Sequence, residues 1–433
     1  MDFSYFVARK VALSGKKSFS RLIIRIATVA VAVSVAIMII TTSVVRGFKN
    51  QISDKIFGLW GQIHITDASI TQGYEPAPID LNQPFYPSLD TVRSIKYLVP
   101  NSNVFSSKSD PYVEKTSKGG IHHIQAFATK PGIIKTKTEI EGIVLKGAGK
   151  DFNWEFMNQS LVAGRAITFN DSTPSRDIIV SQITANRLKI NVNDKFVVHF
   201  LNKNEQVKRA FTVCGIYKTG LEEYDKKIAF ADLAIIQDLL GWKRNQVAGF
   251  EVFVEDYEDI EPMTEHIYNE TLSNNLYAQT IREKFPSIFE WLDLQDINEV
   301  VIVVLMAIVA IINMITALLI LILERTQMIG ILKSLGSSNW TIRKIFLFHA
   351  SWIVLVGLFF GNLIGIGFCF LQEKFKFIKL SEADYYLSYA PVELHFPTVI
   401  VLNLLTLLAV ILFLIVPTYL ITRISPVKAI GLR

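Results

Sequence analysis

Residues 300–337 read VVIVVLMAIVAIINMITALLILIL followed by ERTQMIGILKSLGS. The first part is long enough to cross a bilayer, which takes about 20 apolar residues. The second turns polar at once. As a short helix it puts Met328, Ile331, Leu332 and Leu335 on one face, with Arg325 and Lys333 off it. A small apolar ridge just after a span is what a membrane subunit needs to plug into a soluble motor.

Three further runs are long enough to span: Ile26–Val45, Ile345–Leu371 and Thr398–Ile421. Half of the 433 residues are hydrophobic, too many for one soluble domain and too few for a wholly embedded one. The expected fold is a membrane protein with four transmembrane α-helices. A large mixed α+β extracytoplasmic (periplasmic) domain lies between the first and second. The boundaries read as an interfacial helix within 1–25, helix 1 at 26–46, and the periplasmic domain with helical stalks at 47–299. Helix 2 follows at 300–323, a cytoplasmic loop at 324–344, helix 3 at 345–371, a periplasmic segment at 372–397, helix 4 at 398–421 and a tail at 422–433.

Short flanks set orientation, because lysine and arginine stay on the inside. Arg9, Lys10, Lys16, Lys17, Arg21 and Arg25 precede the first span, against Asp2 alone. Arg325, Lys333, Arg343 and Lys344 face only Glu324 in the loop after the second, and the tail carries Arg423, Lys428 and Arg433 without an acid. Both termini and the 324–344 loop are therefore expected in the cytoplasm of a bacterial inner (cytoplasmic) membrane protein. Topology accounts for the net charge of +5, so no nucleic acid is called for. The first run is longer than a signal peptide core and lacks a small-x-small cleavage site after it. Of the two cysteines, Cys369 sits in a span and Cys214 in the outer domain, so no disulfide is expected and the outer domain must fold by its own core.

Residues 2–13 space Phe3, Phe6, Val7, Lys10 and Val11 as a helix lying on the inner membrane surface. Phe48, Ile52 and Ile56 extend the first span beyond the bilayer, and Ile281, Phe285, Ile288 and Leu292 make a stalk leading into the second. Between them, strands are expected at 62–66, 123–127, 177–181, 196–200, 211–217 and 250–254, and helices at 182–188 and 233–240. A division into two lobes near residue 150 is expected. Gly357, Gly361 and Gly365 form a small-residue ridge for helix packing, either inside the subunit or at a dimer seam.

Chemistry is hard to find. Gly147-Ala148-Gly149-Lys150 comes nearest to a phosphate loop, but Asp151 follows and the upstream glycine is missing. His122-His123 alternate across a strand and have no second ligand cluster, so no metal site is expected. No nucleophile elbow or zinc helix occurs. Catalytic residues: none.

The order of one span, large outer domain and three spans, with the 324–336 motif, resembles ABC transporter permeases of the MacB/FtsX-like type. That likeness implies that Met328, Ile329, Leu332, Leu335 and Gly336 form a coupling helix that docks into a separate dimeric ABC ATPase, which binds the ATP and Mg. This chain then needs no cofactor. The segment Glu382-Ala383-Asp384-Tyr385-Tyr386-Leu387-Ser388-Tyr389-Ala390-Pro391 is similar to the LolC/LolE lipoprotein-releasing permeases, as are 177–198, 211–215 and 228–240, while the ending Arg423–Ala429 resembles that of the wider family. Such a protein pairs with a second copy or a paralogue, takes a lipoprotein substrate from membrane lipid, and hands it to a periplasmic carrier. Leu201–Ala210 departs from that pattern, being too short for the hairpin hook that engages the carrier. On this reading Val44, Phe48 and Ile52, with Met306 opposite, would touch acyl chains in a cleft between spans one and two of paired permeases.

Overall fold

The computed structural model describes residues 19–69, 76–100, 111–135, 139–170, 173–202 and 205–424. The interfacial helix expected at 2–13 and most of the ending at Arg423–Ala429 lie outside them. The chain opens on α1 (Phe19–Trp60), 42 residues of helix with no proline to break it. It stops at Gly61, whose φ of +72° closes a helix without the penalty a side chain would bring. Then come β1 (Ile63–Asp67), β2 (Ile79–Asp80), β3 (Lys96–Pro100), β4 (Tyr112–Thr116), β5 (Ile121–Lys135), β6 (Ile140–Ala148), α2 (Trp154–Ser160), β7 (Leu161–Gly164), β8 (Asp177–Ser181) and α3 (Gln182–Leu188). β9 (Lys195–Asn202), β10 (Glu205–Tyr217), α4 (Glu222–Asp225), β11 (Ile228–Asp232), α5 (Leu233–Leu240), β12 (Gln246–Val247), β13 (Gly249–Val254), α6 (Ile260–His266), β14 (Leu276–Thr280) and α7 (Ile281–Lys284) follow. The last part is helical: α8 (Pro286–Glu324), α9 (Thr326–Ser334), α10 (Asn339–Phe375), α11 (Glu382–Tyr385), α12 (Phe396–Thr418) and α13 (Leu420–Arg423).

The chain forms two compact units, one of residues 1–51, 290–379 and 389–433, the other of residues 52–289 and 380–388. The first is the membrane unit. Among the described residues, four helices are long and apolar enough to cross a membrane: Leu22–Trp60, Pro286–Glu324, Asn339–Phe375 and Phe396–Arg423. Their shared core gathers Val31, Val35 and Ile39 with Met314, Leu318, Phe346, Val354, Val410 and Leu414. Large apolar side chains such as Val300, Phe359, Leu363, Ile400 and Leu412 point outwards, the pattern a bilayer covers.

The outer unit is built on a ten-stranded sheet. Strands β5, β6, β11, β8, β10 and β9 pair in turn, and β9 returns to β5, so six of them close a ring. Alternation explains the inside. Phe196, Val198 and Phe200 of β9 point in, while Val197 and Leu201 point out. Phe127, Ile134, Leu145, Val180, Phe211 and Val213 fill the same core, and Ile235, Ile236 and Leu239 of α5 cover it. Of the remaining four strands, β7 pairs with β10, and β13, β1 and β14 continue the sheet from the first half of β5.

Two sequence expectations are corrected. No lobe boundary falls near residue 150, because the 15 residues of β5 serve both parts of the sheet, pairing with β13 through Ile121–Phe127 and with β6 through Ala128–Lys135. The stalk from Ile281 is not one helix. Pro286 has no N–H to continue α7, so the chain breaks at Phe285 and restarts as α8.

Candidate functional site

The loop after the second span is α9, and its faces divide differently from the expected ridge. Ile329 is completely buried in the core of the membrane unit, with Met328 and Leu332 packed half-buried beside it. The reason is that a short helix beside a span must bury its own apolar stripe on its own bundle. Ile329 is therefore withdrawn from the coupling surface. What is offered outwards is Ile331 and Leu335, one helical turn apart, with Trp340 at the start of α10; Leu335 is 77% exposed. Gly336 takes a φ of +85° to end α9, with open space where a Cβ would stand. Lys333 holds the loop from below. Its Nζ donates to the carbonyls of Ile421 (2.7 Å), Thr422 (3.3 Å) and Ile424 (2.8 Å), which end α13. Arg343 donates from Nε to Thr418 Oγ1 at 3.1 Å and lies between the Trp340 and Tyr419 rings.

At the other end of the membrane unit, α1 and α8 are fastened by side chains. Phe48 meets Trp291 edge to face, 5.3 Å between centroids. Lys49 Nζ lies 2.6 Å from Asp296 and 3.9 Å from Asp293. Glu393 takes Arg46 Nε at 3.4 Å and Asn50 Nδ2 at 2.6 Å. Of the residues expected to meet acyl chains, Val44 and Phe48 are half-buried. Met306 packs half-buried against the helix core. Ile52 is fully buried, so it is corrected to a packing residue: nothing can touch it without moving the helix.

The glycine ridge faces α1 of the same chain. A Cβ on Gly357 would lie 2.8 Å from Val31 Cγ1, on Gly361 2.8 Å from the Ala32 carbonyl oxygen, and on Gly365 3.1 Å from Ile39 Cβ. Small residues let the two backbones approach. The Tyr-rich segment belongs to the outer unit. The Tyr386 carbonyl accepts from Lys55 Nζ at 2.9 Å, Glu382 pairs with Lys218 at 2.6 Å, and Leu387 is buried.

His123 Nε2 donates to the Asp151 carbonyl at 2.7 Å, while His122 is exposed. Both cysteines are free and buried, and burial pushes the Cys214 thiol up to about 12. Sequence reasoning passed over one cluster, the buried Lys146–Glu251 pair with His64 and Lys284. Its signal was a single charge inside each of two otherwise apolar strands, IVLKGA and GFEVFV.

Four apolar helices, a large mixed domain between the first two and a short exposed helix after the second define a multi-pass membrane permease. Residues 26–269 match the MacB-like periplasmic core domain and residues 300–426 the FtsX-like permease C-terminal domain. The chain belongs to this MacB/FtsX-like family of ABC transporter permeases, whose members are not themselves enzymes and which implies an ATPase partner and a paired permease. It is 20% identical over 417 residues (92% of this chain, 91% of the relative) to the lipoprotein-releasing system transmembrane protein LolC of Xylella fastidiosa strain Temecula1. It is 21% identical over 430 residues (96% and 94%) to LolC of Buchnera aphidicola subsp. Schizaphis graminum. The ABC transporter permease YtrF of Bacillus subtilis is 23% identical over 166 residues, 37% of each chain. The helices and the LolC likeness mark an inner-membrane protein.

Proposed function

We propose that this chain is the permease subunit of an ATP-driven transporter that extracts lipoproteins from the inner membrane and passes them to an outer-membrane-directed carrier. The observation that carries the reading is the likeness to LolC over nearly the whole chain, membrane and outer domains together. Ile331, Leu335 and Trp340 offer the ATPase dimer an apolar contact on the cytoplasmic side, with both termini on that side. A second copy or a paralogue completes the permease pair.

Physics asks for a motor here. A ~16-carbon acyl chain is held in the membrane by roughly 12 kcal/mol, at about 0.8 kcal/mol per buried CH₂. Release must pass from one apolar environment to another. Half-buried Val44 and Phe48 on α1 and Met306 on α8 are the side chains proposed to meet lipid when those helices part.

The partial likeness to the permease YtrF leaves room for a second reading, a MacB-like efflux permease, or an FtsX-like signalling subunit that controls a cell-wall hydrolase without moving a substrate. Depletion of the protein, followed by separation of inner and outer membranes, tests the choice. Acylated proteins retained in the inner membrane are expected. Normal sorting would overturn lipoprotein release and leave the permease class standing.

A further inference from the structure

Helix α1 ends inside the outer unit, and the end of an α-helix leaves carbonyls that need donors from elsewhere. Here the donors are buried side chains from other elements. Lys146 of β6 gives Nζ to the Leu59 carbonyl at 2.6 Å. The same Nζ lies 2.7 and 2.9 Å from the two oxygens of Glu251 on β13. Gln125 of β5 donates to Glu251 at 2.8 Å. His64 of β1 meets the Trp60 carbonyl through Nε2 at 2.6 Å; a carbonyl only accepts, so Nε2 carries the proton. Its Nδ1 is then free to accept from Lys284 Nζ of α7, 2.7 Å away. Both ammonium groups lie over the Trp60 indole, at 4.8 and 5.3 Å. The Lys146 and Glu251 side chains are 0% exposed.

A lysine and a carboxylate in a dry site are costly to assemble, and Lys284 adds a second positive charge from the exposed edge. Apolar residues of the same volume often serve stability as well or better. The helix end offsets part of that cost, since its carbonyls carry partial negative charge and the indole face attracts cations. What the polar groups provide that apolar side chains would not is direction: Lys146 holds the Leu59 carbonyl, and His64, held in turn by Lys284, holds that of Trp60. Burial with Lys284 and Lys146 nearby keeps His64 well below the ordinary histidine range, so the imidazole stays a neutral acceptor for Lys284.

We propose that buried Lys146, Glu251 and His64, with Lys284 closing them from the edge, form a lock that makes the end of α1 one body with the sheet. Movement of α1 is then delivered to β1, β6 and β13 without slack. The functional half of this inference rests on the proposed transport cycle. The mechanical half does not.

Hydrogen exchange on the full chain in lipid nanodiscs separates the two. Lys146→Met and the apolar pair K146M/E251L are compared with the natural protein over 52–60 and over strands β8 and β10. The lock predicts at least tenfold faster exchange at the end of α1 in both variants. In the apolar pair the strand protection is kept, because the core is refilled but Leu59 has lost its donor. Unchanged exchange at 52–60 in the folded pair overturns the lock, whatever the cargo proves to be. Should Lys146→Met lose strand protection as well, Lys284→Met gives the decision, with faster exchange at 52–60 expected and no change overturning the idea. In cells, the pair should leave lipoproteins in the inner membrane. Normal release alongside a loosened α1 would overturn the mechanical role, while a natural protein that never sorts lipoproteins would overturn only the proposed function.

Discussion

The side chains of Asn362 on α10 and Asn403 on α12 donate to one another, at 2.7 and 2.9 Å, between two helices of the membrane unit. Each also donates to the carbonyl one turn back, Leu358 and Val399. The pair therefore fixes the register of the third and fourth spans. Interhelical hydrogen bonds of this kind are worth about 0.6 kcal/mol, up to about 1.7. Asn362→Leu should lower stability by about that amount, and N362L/N403L should recover part of it, because no amide is then left half-satisfied. Thermal unfolding in mild detergent measures both. Equal losses at each site that simply add would mean that the two amides are not coupled.

Close packing of α10 on α1 makes a sharper contrast. Gly361→Val forces a side chain into a gap where even a Cβ comes within 2.8 Å of the Ala32 carbonyl oxygen, whereas Gly367 has nothing within 4 Å. Overpacking costs about 1–3 kcal/mol. Gly361→Val should lower the unfolding temperature clearly, with Gly367→Ala close to neutral as the control.

The coupling loop separates folding from docking. Ile329→Ala removes a fully buried side chain and should cost about 2–5 kcal/mol of stability. Leu335→Asp alters a residue that is 77% exposed and should leave the fold alone while weakening capture of the partner ATPase. Co-purification with the ATPase, beside a melting curve for each variant, distinguishes them. A well-folded Leu335→Asp that still binds fully would remove this face from the interface.

Stability should depend on pH at both ends of the range. His64 is held well below 6.5 mainly by burial, so an unfolded chain takes up a proton that the folded one refuses, and stability falls as pH drops below about 6.5. Burial pushes Lys284 down to about 8, so between pH 8 and about 10.5 the unfolded chain holds the extra proton and stability rises with pH. Lys146, lowered by burial against the opposing pull of Glu251, adds to the alkaline rise. Melting temperatures from pH 5 to 10 should show a shallower alkaline slope for Lys284→Met and a shallower acid slope for His64→Gln. Slopes parallel to those of the natural protein would show that neither group is desolvated.

Hydropathy makes the four spans legible, since a bilayer imposes one demand on about 20 consecutive residues. Strand β8 and helix α3 are legible for a similar reason: Ile178–Val180 is a short unbroken apolar run, as a strand buried on both faces requires, and Ser181 then caps Gln182–Leu188 by accepting from the Thr184 N–H. The orientation of Ile329 is not legible, because a nine-residue helix supports two apolar faces equally well until its bundle is known. The Lys146–Glu251 pair is hidden for a different reason. Their positions are 105 residues apart, and only the pairing of β5 with both β6 and β13 brings them together.

The six-stranded ring has one more consequence. A strand in an open sheet can slide by two residues and keep its inward pattern. In a closed ring, β9 is held by β10 on one side and β5 on the other, so a slip there must be shared by every neighbour or break the circle. The outer domain should therefore open all at once or not at all. Hairpin-tip length can drift between relatives, while the registers around the ring cannot.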